Sequence, residues 1–173
     1  LHGFQIWLNM PASEKMRPAR YQDTTSAPIP ELSNSTGAQI RALAGEWCFA
    51  GQSIVAPIQD LAGNAEIADV NIEASGSAEL MLDQHAFVGV YIYSGELLAA
   101  GDVYRAQQLL IVDASKVMSL TASTAGAGVL ILAGTPIKED IVHMGPFVMN
   151  SQAEIRQAID DYQSGRFGEI PPA

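Results

Sequence analysis

From Ile40 to Ala133 the chain repeats one device: a short apolar or alternating run, then a Gly- or Ser-containing break, then another run. The breaks recur roughly every eight to twelve residues, the spacing of an all-β sandwich or barrel. Between breaks there is little room for a helix of ordinary length. The runs are Ile40–Leu43 before Gly45, Glu46–Phe49 before Gly51, and Ala65–Ile72 before Ser75-Gly76-Ser77. Ala78–Leu82 and Phe87–Tyr93 follow, the latter turning at Ser94-Gly95 into Glu96–Ala99. Gln108–Val112, Lys116–Leu120 and Val129–Ala133 complete the series. In Ala65–Ile72 the apolar residues Ala68, Val70 and Ile72 fall on one face, the period of a half-buried strand.

The two ends read differently. Phe4, Ile6 and Leu8 alternate with Gln5, Trp7 and Asn9, so residues 1–8 are predicted to be a strand. A domain rarely opens inside a strand, so a segment upstream of Leu1 is expected. Residues 9–37 hold Pro11, Pro18, Pro28 and Pro30, which exclude a regular helix or a central strand. They read as an extended arm, with one edge strand over Pro28–Leu32. Near the other end, Ser151-Gln152-Ala153-Glu154 has the spacing of a capping box. Ile155, Ala158, Ile159 and Tyr162 then share one helical face, and Gly165 suits the left-handed position that ends a helix. The expected architecture is therefore all-β, a barrel with an extended N-terminal arm and one C-terminal α-helix. Its segments are 1–37, 38–145 and 146–173.

Charge narrows the function classes. Nine basic residues face nineteen acidic ones, for a formal net charge of −10. Nucleic-acid phosphates and anionic membranes are poor partners for such a surface. No apolar run reaches the length of a membrane span, and residues 1–10 do not read as a secretory signal. A single cysteine, Cys48, permits no internal disulfide and suits a reducing cytoplasm. Asn34-Ser35-Thr36 matches a glycosylation acceptor, read here as a polar loop.

Candidate chemical residues are few. His2, His85 and His143 have no histidine two, three or four positions on. A barrel metal site usually takes two ligands from one strand at i and i+2, since alternate residues face inward. His85 has Phe87 there, His2 has Phe4 and His143 has Gly145. Cys48 between Trp47 and Phe49 reads as a buried, inert thiol. Gly126-Ala127-Gly128 lacks the strand-to-helix setting of a dinucleotide loop. Asp160 and Asp161 are placed on the solvent side of the helix. Lys15, Arg17, Arg20 and Tyr21 are expected to tie the arm to acidic parts of the domain rather than to bind an anion. No catalytic, cofactor-binding or metal-ligating residue is assigned.

Two long segments resemble the pirin family. Leu1-His2-Gly3-Phe4-Gln5-Ile6-Trp7-Leu8-Asn9-Met10-Pro11, with Lys15-Met16 and Pro18-Ala19-Arg20-Tyr21-Gln22-Asp23, is similar to the junction between that family's two barrels. Gly145-Pro146-Phe147-Val148-Met149-Asn150, with Glu154-Ile155 and Gln157-Ala158-Ile159, is similar to its carboxy-terminal signature. Between them Ala133-Gly134-Thr135-Pro136-Ile137 with Glu139 resembles a Gly-x-Pro-Leu-x-Glu-Pro stretch in which Asp140 replaces the last proline. The resemblance implies a bicupin, of which this chain is the C-terminal cupin (jelly-roll) barrel. It implies an iron or similar metal held by three histidines and a glutamate in an N-terminal barrel outside this chain. None of those ligands has a counterpart here. Some members resemble quercetin 2,3-dioxygenases; others bind regulatory or metabolic proteins.

A metal-bearing cupin carries Gly-x5-His-x-His and then Glu and Gly. Here Phe87–Gly95 keeps the strand and replaces the ligands with apolar residues, and Lys116–Thr124 offers no histidine for the second motif. The expectation is a metal-free structural or interaction module with no cofactor of its own. The alternative is one part of a metal-dependent quercetin 2,3-dioxygenase-like enzyme. The chain alone is not expected to be catalytic. Its expected partners are the N-terminal barrel, a second copy through a patch including Phe4, Ile6 and Trp7, or another protein. Flavonol binding in a metal-free barrel is a weaker third reading.

Overall fold

A computed structural model describes residues 3–24, 28–82, 85–99, 101–113 and 117–167. The chain divides into two compact units, one holding residues 20–136 and the other residues 1–19 with 137–173. The larger unit contains β1 (Glu31–Ser33), β2 (Ala38–Ala44), β3 (Glu46–Phe49), β4 (Gln52–Val55) and β5 (Glu66–Ile72). It continues with β6 (Ser77–Met81), β7 (Phe87–Ala99), β8 (Asp102–Arg105), β9 (Leu109–Val112) and β10 (Val117–Gly134). These ten strands form one sheet in the order β1-β2-β5-β10-β6-β3-β4, with β7 paired to β10, β8 and β9. The strand pairs are antiparallel, as short connections between successive strands require.

The sheet curls because β10 changes partners along its length. Val117–Thr121 pairs with β6, and Ala127–Ala133 pairs with β5. On its other side β10 pairs with β7, with register breaks between Ala122 and Ala127 and between Gly128 and Val129. Such irregularities bend a strand and raise its twist. The sequence suggested a turn at Ser94-Gly95 and separate strands on either side. Instead Phe87–Ala99 is one strand, and Lys116–Leu120 with Val129–Ala133 belong largely to one strand, Val117–Gly134. The glycine marks a bend: Gly95 has φ +68°, and a Cβ there would stand 2.1 Å from the carbonyl oxygen of Gly126. A glycine in a strand reads as a turn or a bulge, and partner strands decide which. β4, β8 and the two short strands of the smaller unit fall outside the runs read from the sequence; each buries at most one residue.

Alternation builds the core. Along β2 the buried residues are Ala38, Ile40, Ala42 and Ala44, and along β5 they are Ala68, Val70 and Ile72. Val88, Val90 and Ile92 of β7 meet Val129, Ile131 and Ala133 of β10 in the same cluster, closed by Trp47, Phe49, Leu80 and Leu82. Edge strand β1 pairs Leu32 with Ile40; it overlaps the expected Pro28–Leu32 only at Glu31 and Leu32, and residues 28–30 lie outside it.

The smaller unit is held by its own contacts. β11 (Val142–Met144) and β12 (Phe147–Met149) form a hairpin before α1 (Gln152–Gln163). The capping box forms: Ser151 Oγ accepts from Glu154 N at 3.3 Å, and Glu154 Oε2 accepts from Asn150 N at 3.1 Å and Ser151 Oγ at 2.8 Å. Ile155 is buried, and Gly165 takes φ +70° beyond the helix. Glu139 Oε2 accepts from the Ala12 backbone N at 2.7 Å and from Asn150 Nδ2 at 2.9 Å, joining the two chain ends within this unit. The strand predicted over residues 1–8 does not form in its described part, residues 3–8. The alternation is present, but among the described residues it joins no strand ladder, and a strand is a paired structure. Among the described residues no helix is long and apolar enough to cross a membrane.

Candidate functional site

The barrel interior and a groove in the smaller unit are two candidate places for chemistry. The inward positions of β7 are Val88, Val90 and Ile92, each fully buried. Those of the first half of β10 are Met118, Leu120 and Ala122. These strands cover Phe87–Gly95 and residues 117–124, and inward they present hydrocarbon and one thioether. Among the described residues no polar or charged residue is fully buried, and no three His, Cys, Asp or Glu side chains gather. The interior therefore does not fit a transition metal, which needs several convergent nitrogen, oxygen or thiolate donors.

His85 comes nearest to a site. Its side chain is 5% exposed, its ring centroid lies 6.0 Å from Trp47, and its Nε2 lies 3.2 Å from Glu66 Oε2. That carboxylate oxygen is buried without a well-directed hydrogen bond, so the contact is close in distance and poor in direction. Trp47 donates its own Nε1 proton to the Ala44 carbonyl at 3.0 Å. Sequence reasoning singled out His85 and missed Glu66. The two lie far apart in sequence, and no spacing rule joins them. His143 is exposed on β11, and His2 lies outside the described residues.

Cys48 is half-buried rather than buried. Its neighbours Trp47 and Phe49 point into the barrel, so strand alternation turns Cys48 to the outer face. There its Sγ stands 3.5 Å from Met81 Sδ, directly across the ladder. Asn34 is a turn organiser: its Oδ1 accepts from Thr36 N and Ala38 N, and its Nδ2 donates to the Ser77 carbonyl. Gly126–Gly128 lies inside β10.

The basic residues of the segment before β1 are mostly engaged. Arg20 donates to the Gln59 carbonyl at 2.6 Å and lies 3.4 Å from Asp60 Oδ2. Arg17 pairs with Glu14 at 2.8 Å, a local contact, while Tyr21 is exposed. Asp160 is exposed as expected, whereas Asp161 is half-buried and pairs with Arg166 Nη2 at 2.6 Å. That guanidinium and the Gln157 amide hold the Asp161 carboxyl below its ordinary range.

Asp161 lines the groove of the smaller unit, a hollow of about 550 Å³. Trp7, Met10, Met16, Phe147, Met149 and Phe167 supply most of its apolar lining, and Lys15 reaches into it. Phe147, Tyr162 and Phe167 meet edge to face, with centroids 5.7 to 6.3 Å apart. Such contacts fix one side of the hollow.

The curled antiparallel sheet around an apolar interior defines a cupin-like barrel. Residues 67–168 match the family model described as the pirin C-terminal cupin domain, and the chain belongs to the pirin family. A Vibrio cholerae relative named "Putative quercetin 2,3-dioxygenase" is 38% identical over 167 residues, covering 96% of this chain and 59% of its own. A Caulobacter vibrioides "Pirin-like protein" is 32% identical over 169 residues, covering 96% and 59%. Among solved structures, a quercetin 2,3-dioxygenase from Acinetobacter baumannii superimposes with a TM-score of 0.81 at 26% identity, over 95% of this chain and 56% of that one. The chain thus spans about 59% of the length of these curated relatives.

Proposed function

We propose that this chain is the metal-free barrel of a two-barrel protein, supporting and partnering a barrel that carries the metal chemistry. One observation supports the reading: the inward residues of Phe87–Gly95 and of 117–124, the segments compared with a cupin's two metal motifs, are Val88, Val90, Ile92, Met118, Leu120 and Ala122. Hydrocarbon burial contributes about 25 cal/mol per Å² to folding, so these side chains stabilise the barrel at positions a ligand set would otherwise occupy. An unpaired ligand cluster in the same place would cost several kcal/mol in desolvation. Phe4 and Ile6, 46% and 38% exposed, supply an apolar strip for the partner barrel, or for a second copy when that barrel is absent.

A second reading rests on the relatives' names and on the 59% coverage. In it the chain is one part of a flavonol dioxygenase whose metal lies in the other barrel. Metal analysis and a quercetin-depletion assay on the purified chain test the first reading. The expected result is no stoichiometric metal and no turnover. Stoichiometric iron with quercetin consumption by this chain alone would overturn it. Restoration of turnover by adding the N-terminal half of a relative would favour the second.

A further inference from the structure

The groove of the smaller unit contains a cation that no acid answers. Lys15 is half-buried, and its Nζ donates to the neutral amide oxygen Asn9 Oδ1 at 2.7 Å. Among the described residues no carboxylate lies within ion-pairing distance of it. An ammonium has three protons to donate, and this contact uses one. The two acids that line the same hollow are committed elsewhere. Glu154 accepts from Asn150 N and Ser151 Oγ in the capping box. Asp161 accepts from Gln157 Nε2 at 2.8 Å and from Arg166. Lys15 is therefore a cation of the lining that makes no ion pair, beside Asp161, whose charge Arg166 meets, and Glu154, held by neutral donors.

The rest of the lining is aromatic rings and thioethers. Trp7 is 72% exposed and Phe167 is 59% exposed, and Met10, Met16 and Met149 stand among them. Flat rings pack against such surfaces, since ring edges attract an aromatic face and thioether sulfur is attracted to a ring, often at its edge. The volume of about 550 Å³ is that of a small-molecule site. A few directed polar groups in a mostly apolar hollow is the usual design of such sites.

We infer that this groove binds an aromatic carboxylate, with the ring against Trp7 and the methionines and the carboxylate on Lys15. The inference is independent of the metal-free reading of the barrel, since no barrel residue takes part. Isothermal titration of the chain with 2-naphthoate, and with the neutral 2-naphthylmethanol, tests it. Saturable one-to-one binding of the acid is expected. Lys15→Met should weaken the acid by about tenfold, ~1.4 kcal/mol, and leave the alcohol nearly unchanged. Lys15→Arg should retain most of the acid's affinity, because the charge and donors persist. Trp7→Leu should weaken acid and alcohol alike. Absence of saturable binding would overturn the inference. So would equal losses for acid and alcohol in Lys15→Met, or tighter binding of decanoate than of 2-naphthoate.

Discussion

Tyr93 leaves β7 on the outer face of the barrel, where its hydroxyl donates to Asp69 Oδ1 at 2.7 Å and lies 3.2 Å from Asn71 Oδ1. Its ring lies against Gly128, where a Cβ would stand 2.4 Å from the ring carbon Cε2. Burial, then the hydrogen bond and negative charge of Asp69, push the phenol well above its ordinary range. The folded state therefore holds this proton more tightly than the unfolded chain does. The resulting stabilisation is complete below the unfolded value of about 10 and is lost as pH climbs past it. Tyr93→Phe should cost about 1 kcal/mol near neutrality, discounted for partial exposure. It should also flatten the alkaline loss of stability, as read by urea unfolding at several pH values. An unchanged alkaline slope would contradict this account. Gly95 offers a sharper test. A methyl group there collides with the Gly126 carbonyl at a positive φ, so Gly95→Ala should cost roughly 2–4 kcal/mol. A melting temperature within a degree or two of the parent would contradict the bend described here.

At the scale of elements, what could be read from the sequence was what depends on neighbours in sequence. The run Ile40–Leu43 inside β2, the alternation in β5 and the cap of α1 are local, and they form where expected. The bend at Gly95, the continuity of β7 and the partner change along β10 depend on strands far away, and the sequence misread them as turns. The alternation of residues 3–8 shows the converse, a sound local pattern that forms no ladder among the described residues. The same holds for the candidate sites. The apolar inward face of Phe87–Gly95 was legible because a strand period of two fixes which residues face inward. The approach of Glu66 to His85 was not, because it is made by tertiary packing. The outward turn of Cys48 could have been read, since Trp47 and Phe49 on either side claim the core. The cap gives a prediction confined to one element. Ser151→Ala removes the acceptor of the Glu154 N–H and should cost about 1 kcal/mol. Hydrogen exchange should quicken in α1 while amides of β5 and β10 keep their protection. Equal quickening in the sheet would show that the helix and barrel unfold as one.

At the scale of the whole molecule, the division of the chain makes the last claim testable. Every residue of the main hydrophobic cluster lies between Ala38 and Ala133, inside the larger unit. All ten strands of the large sheet lie there as well. The bonds that join the two chain ends, from Ala12 N and Asn150 Nδ2 to Glu139, belong to the other unit. A domain folds alone when its own core is complete, and segments that add no core residue add little to its cooperativity. Residues 20–136 expressed alone should therefore fold. The expected signs are a cooperative urea transition and a near-ultraviolet circular-dichroism signal from Trp47, which is buried in that core and donates to Ala44. The fragment should also lose any 2-naphthoate binding, because Lys15 and the groove are gone. A broad, non-cooperative transition with exposed Trp47 emission would mean that the barrel depends on the chain ends for its integrity. The supporting module would then have to be redrawn as the full chain rather than the barrel.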